Sequence, residues 1–406
     1  MKIHFLMAAN NSSSQTRVTV EYANALVRQR HEMTVSVPRF DFLDYVLWRL
    51  RREGPFWRRP LWTLRQWLSW WAIPLAKAVI SRRPWFGQTG HTLDPRVRVN
   101  RFLLLPARRN LPDADFLIAF QCYLLGRLVR LPAEKGKVVG SIRLDYAAGM
   151  KDSDPTVAQW RGYCNSFYQR LSVPLFAVSR RSAESARSMG IPVRAVIQNG
   201  INTEEFRDGG RRGAREPLRV TLFTNEHPQK GQEVGAEAVR RLRVICAGRQ
   251  VRFGAVRGRL HEEYRGLFDD NHGYLTGQRY VRVFQESDIF IYPSRYEGFP
   301  AVPLEAMACG CALATTRVSG VEEYAMHEKN CMVSEPGDAE GIVRNVQRLI
   351  EDARLRDELR GNGILTARRY SWEAAAERLV EFLSGSEKRD PAWRREEVVP
   401  FVAAAR

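Results

Sequence analysis

The chain is 406 residues long, with 44% hydrophobic and 27% charged residues, ample apolar material for packed cores, which excludes a disordered or low-complexity chain. At roughly 100–200 residues per domain, the length predicts two domains or three. The net charge of +18 is lopsided: residues 1–195 hold 31 Lys/Arg against 13 Asp/Glu, whereas residues 196–406 hold 32 of each. A basic half predicts an anionic partner, either nucleic acid or an acidic membrane surface.

Taken in chain order, KIHFLMA reads as a strand, NNSSSQT as a polar loop, VTVEYANALVRQR as a helix and HEMTVSV as a second strand. Strand, loop and helix open a βαβ unit, which implies a parallel sheet with right-handed crossovers. The N-terminal apolar stretch is too short for a signal h-region. ADFLIAF (114–120), KVVGSIRL (137–144) and PLFAVS (174–179) are further buried strands, the last followed by a helix that ends on Gly190.

Between these lies residues 45–86, with seven of the ten tryptophans and nine Lys/Arg against the single acid Glu53. Tryptophan and arginine on amphipathic helices suit a segment lying in the headgroup plane. A helical pair with tryptophans packed inward and arginines solvated is the other reading, and single-stranded nucleic acid a third. The aromatic density favours the membrane surface. No window reaches the ~20 apolar residues that span a bilayer; the longest candidate, Gln66 to Ala76, is broken by Pro74. Six scattered cysteines without a CxxC pair read as reduced thiols of a cytosolic protein.

The second half repeats the α/β pattern. Asn199-Gly200 marks a turn, and strands are expected at LRVTLFT, VRFGAV (251–256), SDIFIYPS (287–294), CALATT (311–316) and NCMVSE (330–335), with helices between. The end is helical, its last helix starting on Ser371 and stopping at Gly385.

Chemistry concentrates in IYPSRYEGFPAVPLEAMACG (291–310). Glu297 is expected on a loop at the carboxyl end of a parallel strand, where open α/β sheets bind ligands, and Glu305 in the first turn of the helix that follows. Exposed N–H groups around Gly298 and Phe299, with the helix dipole, offer an anion cradle. Carboxylates beside such a cradle suit a ligand with both phosphate and hydroxyls, which describes a sugar nucleotide. A dipole-neutralising Glu305 and a solvated Glu297 are the plainer alternative. Two D-x-D strings, Asp113 to Asp115 and Asp152 to Asp154, could hold a metal, but helix capping accounts for the second and no metal is demanded.

From about residue 217 to 384 the chain resembles glycosyltransferase family 4, retaining enzymes of the GT-B fold. The resemblance rests on ordered motifs: VIQNGIN with Phe206, Lys230-Gly231 after a strand, the segment 291–310, SGVEEY (319–324) and YSWEAAAERL. It implies an α/β fold of two Rossmann-like parallel-sheet domains facing across a cleft, with C-terminal helices packing back toward the N-terminal domain. The expected divisions are an acceptor-binding domain at 1–195, a nucleotide-sugar-binding domain at 196–370, a crossing helix at 371–385 and a tail at 386–406.

Carried over by position, Glu297 would lie near the donor sugar and Glu305 would hold the nucleotide ribose. Lys230 would neutralise the donor diphosphate, amides at Gly298 and Phe299 would bind sugar or phosphate oxygens, and Glu323 would contribute more weakly. Three positions depart from the family pattern: Asn225 stands where an arginine is usual, Leu144 replaces the histidine beside Asp145, and Ser13-Ser14 replace a glycine pair. Serine hydroxyls at Ser13 and Ser14 could bond the donor instead.

The resemblance implies hexosyl or deoxyhexosyl transfer from a nucleotide-diphosphate sugar, without a cofactor or required metal. The acceptor would be a lipid-linked or cell-envelope polysaccharide, and residues 45–86 would hold the protein at the cytoplasmic face of an anionic membrane. A soluble glucan or small-molecule transferase of the same fold, or a non-catalytic nucleotide-sugar or nucleic-acid binding protein, are the alternatives; nucleic acid is the weaker partner.

Overall fold

A computed structural model describes residues 1–7, 14–38, 92–102, 110–120, 122–145, 155–210 and 216–388. The insertion at 45–86, Ser13, Asp152 to Asp154 and the tail beyond Lys388 lie outside the described residues.

The first sheet is built from β1 (Lys2–Leu6), β2 (Glu32–Pro38), β3 (Arg98–Phe102), β4 (Phe116–Ala119), β5 (Lys137–Ile142), β6 (Leu175–Ala177) and β7 (Val193–Val196), in the order β3-β2-β1-β4-β5-β6-β7. Its paired strands run parallel. The intervening helices are α1 (Ser14–Arg28), α2 (Cys122–Leu128), α3 (Pro155–Gln169) and α4 (Arg180–Ser188). β4 is buried along its whole length, as a near-continuous apolar run in a parallel sheet should be. β3 was not expected. Its sequence RVNRF is half polar, which suits its place at the sheet edge, where charge discourages pairing with another chain.

The second sheet contains β8 (Leu218–Phe223), β9 (Val251–Val256), β10 (Asp270–Asn271), β11 (Ile289–Tyr292), β12 (Ala312–Thr316) and β13 (Met332–Ser334), ordered β10-β9-β8-β11-β12-β13. In sequence order that is 3-2-1-4-5-6, the doubly wound Rossmann arrangement, and strand order reverses between β8 and β11. Its helices are α5 (Gln232–Ile245), α6 (Gly277–Glu286), α7 (Ala301–Ala308), α8 (Ala339–Glu351) and α9 (Ala353–Ala367), and α10 (Trp372–Lys388) follows them, its Phe382 ring against Phe176 of β6. Two apolar clusters cover the two faces, and β11 shows how the pleat divides them. Ile289 and Ile291 join Val220, Leu222 and Leu242 on one face, while Phe290 and Tyr292 join Phe223, Phe284 and Leu304 on the other.

Helix boundaries follow from caps. Asp338 accepts from Gly341 N–H at 2.8 Å to start α8, whose Ile342, Val343, Val346 and Leu349 form the buried stripe. Ser371 Oγ accepts from Ala374 N–H at 3.1 Å to start α10. The expected stop at Gly385 is not a stop: α10 continues to Lys388, Gly385 lying in open space within it.

By packing, the chain divides into two compact units: Met1–Ser141 with Leu171–Pro174 and Leu383–Arg406, and Ile142–Arg170 with Leu175–Phe382. In the first unit, the carboxylates of one D-x-D string are engaged by the protein itself. Asp113 pairs with Lys135 Nζ at 2.8 Å, and Asp115 accepts from the Lys2 N–H at 2.7 Å. All six cysteines are buried free thiols.

Candidate functional site

The site lies in the second unit, where the loops after β8 and β11 meet at the reversal of strand order. A short 3₁₀ turn, Pro228–Lys230, follows β8. His227 Nδ1 caps it by accepting from Gln229 N–H at 3.2 Å, and Asn225 Oδ1 accepts from His227 N–H at 2.9 Å. Gly231 then turns into α5 with φ of 63°, and a Cβ there would lie 2.1 Å from the Pro293 carbonyl oxygen. Both the backbone angle and the space demand glycine, which is why Lys230 is followed by one.

This turn sets Lys230 Nζ 2.5 Å from Glu297 Oε1. The same oxygen accepts from Tyr292 OH at 2.8 Å and lies 2.6 Å from Ser294 Oγ. Ser294 Oγ is also 3.0 Å from the Gln229 carbonyl; its single proton serves the shorter, charge-assisted contact. Tyr292 and Ser294 are two residues apart on an extended segment, so they point to one side, toward the carboxylate. Burial, then the Glu297 charge, push the Tyr292 hydroxyl well above its ordinary range, so it remains a donor. Oε2 has one contact among the described residues, Gln229 Nε2 at 3.4 Å. The carboxylate is thus anchored through one oxygen and offers the other.

The Glu297 backbone is held as well: its carbonyl accepts from Ser319 Oγ. Gly298 follows, and a Cβ on it would lie 2.0 Å from the Arg143 carbonyl oxygen and 3.0 Å from Leu144 Cα. Gly320 rests on the same loop, its absent Cβ falling 2.3 Å from the Gly298 oxygen. Arg143 donates to Asn199 Oδ1 at 2.8 Å, and Asn199 Nδ2 stands 3.5 Å from the Phe299 carbonyl. The N–H groups of Gly298 and Phe299 find no protein acceptor among the described residues. Pro300 caps α7 and no acid lies in its first turn, so these two donors precede a helix N-terminus that suits an anion.

Not every expected residue joins this cluster. Glu305 is fully buried and, because α7 starts at Ala301, lies beyond the first turn where it was expected. Its Oε2 is 3.5 Å from Tyr280 OH. The Glu323 carboxylate is spent on structure: it accepts from Arg180 N–H at 2.6 Å and from Gln198 Nε2 at 2.8 Å, fixing the first turn of α4. Asn225 is a turn former rather than a charge. Leu144 brings no imidazole, and Asp145 accepts from Ser185 Oγ at 2.9 Å. Ser14 begins α1, its side chain outside the described residues. Sequence reasoning did not single out Tyr292, Ser294, Gln229 and Ser319, although Tyr292 and Ser294 sit in the quoted motif at a strand's two-residue period.

Residues 268–366 match the family described as Glycosyl transferases group 1, a stretch containing Glu297, Glu305 and Glu323. A glycosyltransferase of Methanocaldococcus jannaschii is 30% identical over 109 residues, 27% of this chain and 28% of that protein. An N,N'-diacetylbacillosaminyl-diphospho-undecaprenol alpha-1,3-N-acetylgalactosaminyltransferase of Campylobacter jejuni is 32% identical over 101 residues, 25% of this chain and 27% of that protein. The matched stretches span between 13% and 50% of the lengths of such curated relatives. Among solved structures, Anabaena Alr3699/HepE in complex with UDP and glucose superposes with a TM-score of 0.64 at 16% identity, covering 95% of this chain and 99% of that one. At that identity the likeness speaks for the fold. Residues 268–366 are therefore similar to group 1 glycosyltransferases, and they lie on the second of two Rossmann-like parallel sheets, as in the GT-B fold.

Proposed function

We propose that the protein is a retaining glycosyltransferase that moves a hexosyl or deoxyhexosyl group from a nucleoside-diphosphate sugar to a lipid-linked or cell-envelope glycan acceptor at a membrane surface. The observation that carries the reading is the contact of Lys230 Nζ with Glu297 Oε1 at 2.5 Å, set where strand order reverses and next in sequence to the amides of Gly298 and Phe299, which find no protein acceptor among the described residues. An ammonium carries three donors, so Lys230 can keep Glu297 and turn the others to the diphosphate. The amides take further phosphate or sugar oxygens, and Glu297 Oε2 accepts from a sugar hydroxyl. Glu305 takes the ribose hydroxyls once its side chain turns from Tyr280.

In the transfer, the bond from the anomeric carbon to the phosphate oxygen breaks and one to the acceptor oxygen forms. The acceptor's proton leaves with the nucleoside diphosphate. Charge accumulates on the departing diphosphate, which Lys230 and the amides bind in this reading, so positioning and electrostatic stabilisation supply the acceleration. Retention and the family 4 assignment follow the sequence resemblance. A UDP-bound neighbour and a relative named for a diphospho-undecaprenol substrate support the donor and acceptor classes. The basic, tryptophan-rich residues 45–86 support the membrane surface.

The test is release of nucleoside diphosphate from a panel of UDP-, GDP- and dTDP-sugars by the full chain. Lys230→Ala and Glu297→Gln should each lose on the order of 10²-fold or more in rate. Turnover of no nucleotide sugar refutes the enzyme reading, and binding without turnover leaves a non-catalytic nucleotide-sugar protein. Sedimentation with anionic vesicles should be salt-sensitive and weakened by reversing the charges within 49–83; unchanged sedimentation removes the membrane from the proposal.

A further inference from the structure

Two side chains of the loop after β8 repeat one device, each accepting from the backbone N–H two residues on. Asn225 Oδ1 takes the N–H of His227 at 2.9 Å, and His227 Nδ1 takes that of Gln229 at 3.2 Å. The second contact fixes the state of the imidazole. Nδ1 must offer a lone pair, so the ring is neutral and its proton sits on Nε2. An imidazolium carries a proton on both nitrogens, and no rotation of a charged ring restores the acceptor.

Gln229, the residue held by that contact, joins the turn to the loop that carries Glu297. Its carbonyl accepts from the Arg295 N–H at 2.7 Å. Its side-chain Nε2 donates to the Tyr296 carbonyl at 2.7 Å and stands 3.4 Å from Glu297 Oε2. Lys230 hangs on the same turn: its N–H donates to the His227 carbonyl at 2.9 Å, and its Nζ meets Glu297 Oε1. Gln229 is buried, so water is poorly placed to replace a lost acceptor. Charged groups of both signs belong to the elements around the turn. Glu226 and Lys230 lie on the turn, and Arg295 on the loop after β11 bonds Glu233 of α5 at 3.0 Å, with Glu297 two residues on. Arg257 and Arg259 flank Gly258, whose missing Cβ would lie 2.7 Å from Asn225 Cα. With both signs present, the direction of any pH effect comes from the acceptor that protonation removes.

We propose that His227 is a positioning residue for Lys230 and Glu297 that works only as a neutral imidazole, so that protonating its ring loosens the turn and weakens the hold on the donor's diphosphate. This rests on the nucleotide-sugar reading and adds a control to it. The donor-bound state excludes the proton, so affinity is full at neutral pH and falls as pH drops through the range where imidazoles titrate.

The experiment measures dissociation constants of UDP-, GDP- and dTDP-sugars from pH 5.5 to pH 8 for the parent, His227→Asn and His227→Ala. The diphosphate of a nucleotide sugar is esterified at both ends and takes up no proton in this range, and the other imidazoles are common to all three proteins. The parent should bind the best of these sugars on the order of 3- to 10-fold more weakly at pH 5.5 than at pH 8. His227→Asn keeps a side-chain oxygen for the Gln229 N–H at any pH, so it should bind as the parent does at pH 8 and hold that affinity at pH 5.5. His227→Ala should be weak throughout. Parallel pH profiles for the parent and His227→Asn overturn the proposal while leaving the donor site standing, and so does binding by His227→Asn as weak at pH 8 as that of His227→Ala. Tighter binding at pH 5.5 in the parent alone also overturns it, since the imidazolium would then meet the diphosphate directly. Failure of the parent to bind any nucleotide sugar overturns both readings.

Discussion

The Lys230–Glu297 contact allows a quantitative test that needs no substrate. The side chains are 22% and 8% exposed, so the pair lies between the surface and the interior. Two unit charges 4 Å apart attract by about 4 kcal/mol at an effective dielectric of 20, and desolvation of both ions takes back much of that. Exposed pairs measure about 0.2–1 kcal/mol, and removing one partner of a fully buried pair costs about 3–5 kcal/mol. With one partner partly solvated and the other still bonded by Tyr292 and Ser294, a coupling of about 1–3 kcal/mol is expected. The assay is a double-mutant cycle of Lys230→Met and Glu297→Gln, read by urea denaturation of the full chain. Lys230→Met alone should destabilise by about 2 kcal/mol, since it strands a carboxylate, and less when Glu297 is already Gln. A coupling below about 0.5 kcal/mol would mean that the two side chains are solvated separately, and the reasoning that sets Glu297 by this cation would fail.

Gly298→Ala should destabilise by about 2 kcal/mol or more, because its Cβ meets the Arg143 backbone at 2.0 Å, whereas Gly361→Ala, in open space within α9, should stabilise by about 0.5–1 kcal/mol; thermal melts of both separate crowding from helix propensity. Glu323→Gln should cost about 1–2 kcal/mol by loosening the first turn of α4, with the loss read as faster amide exchange at Arg180. Burial lowers the His4 imidazole from 6.5 to about 4, so the unfolded chain takes up the proton first. The sign follows: this contribution, about 3 kcal/mol, is present above pH 6.5 and lost as pH falls toward 4. His4→Leu should lose less stability than the parent between pH 7 and 4.5, and parallel losses in urea titrations would refute the assignment.

What the sequence made legible depended on whether a feature is local. β9 occupies the six residues expected of it because VRFGAV is apolar and bounded by turn formers, and Lys230 with Glu297 stood out because each sits in a short ordered motif. β3 escaped because an edge strand carrying Arg98 and Arg101 has no apolar run to read. Tyr292 looked like core, and is core by its ring; only its hydroxyl reaches the site. Glu323 was expected at the donor, yet its carboxylate serves a helix start 143 residues away in sequence, a pairing that no local pattern encodes. Gly385 read as a stop since glycine is a poor helix former, but one glycine is tolerated when the flanking residues of α10 favour helix.

The six buried thiols have a practical corollary. Burial pushes Cys246, Cys309 and Cys311 upward and Cys331 up to about 12, and alkylation requires the thiolate. The folded protein should therefore be nearly silent toward maleimides and iodoacetamide, and the rate of labelling becomes a clock for how often the chain opens. A single cysteine introduced on the surface would carry a fluorophore or spin label at one known position, with no need to strip the native six.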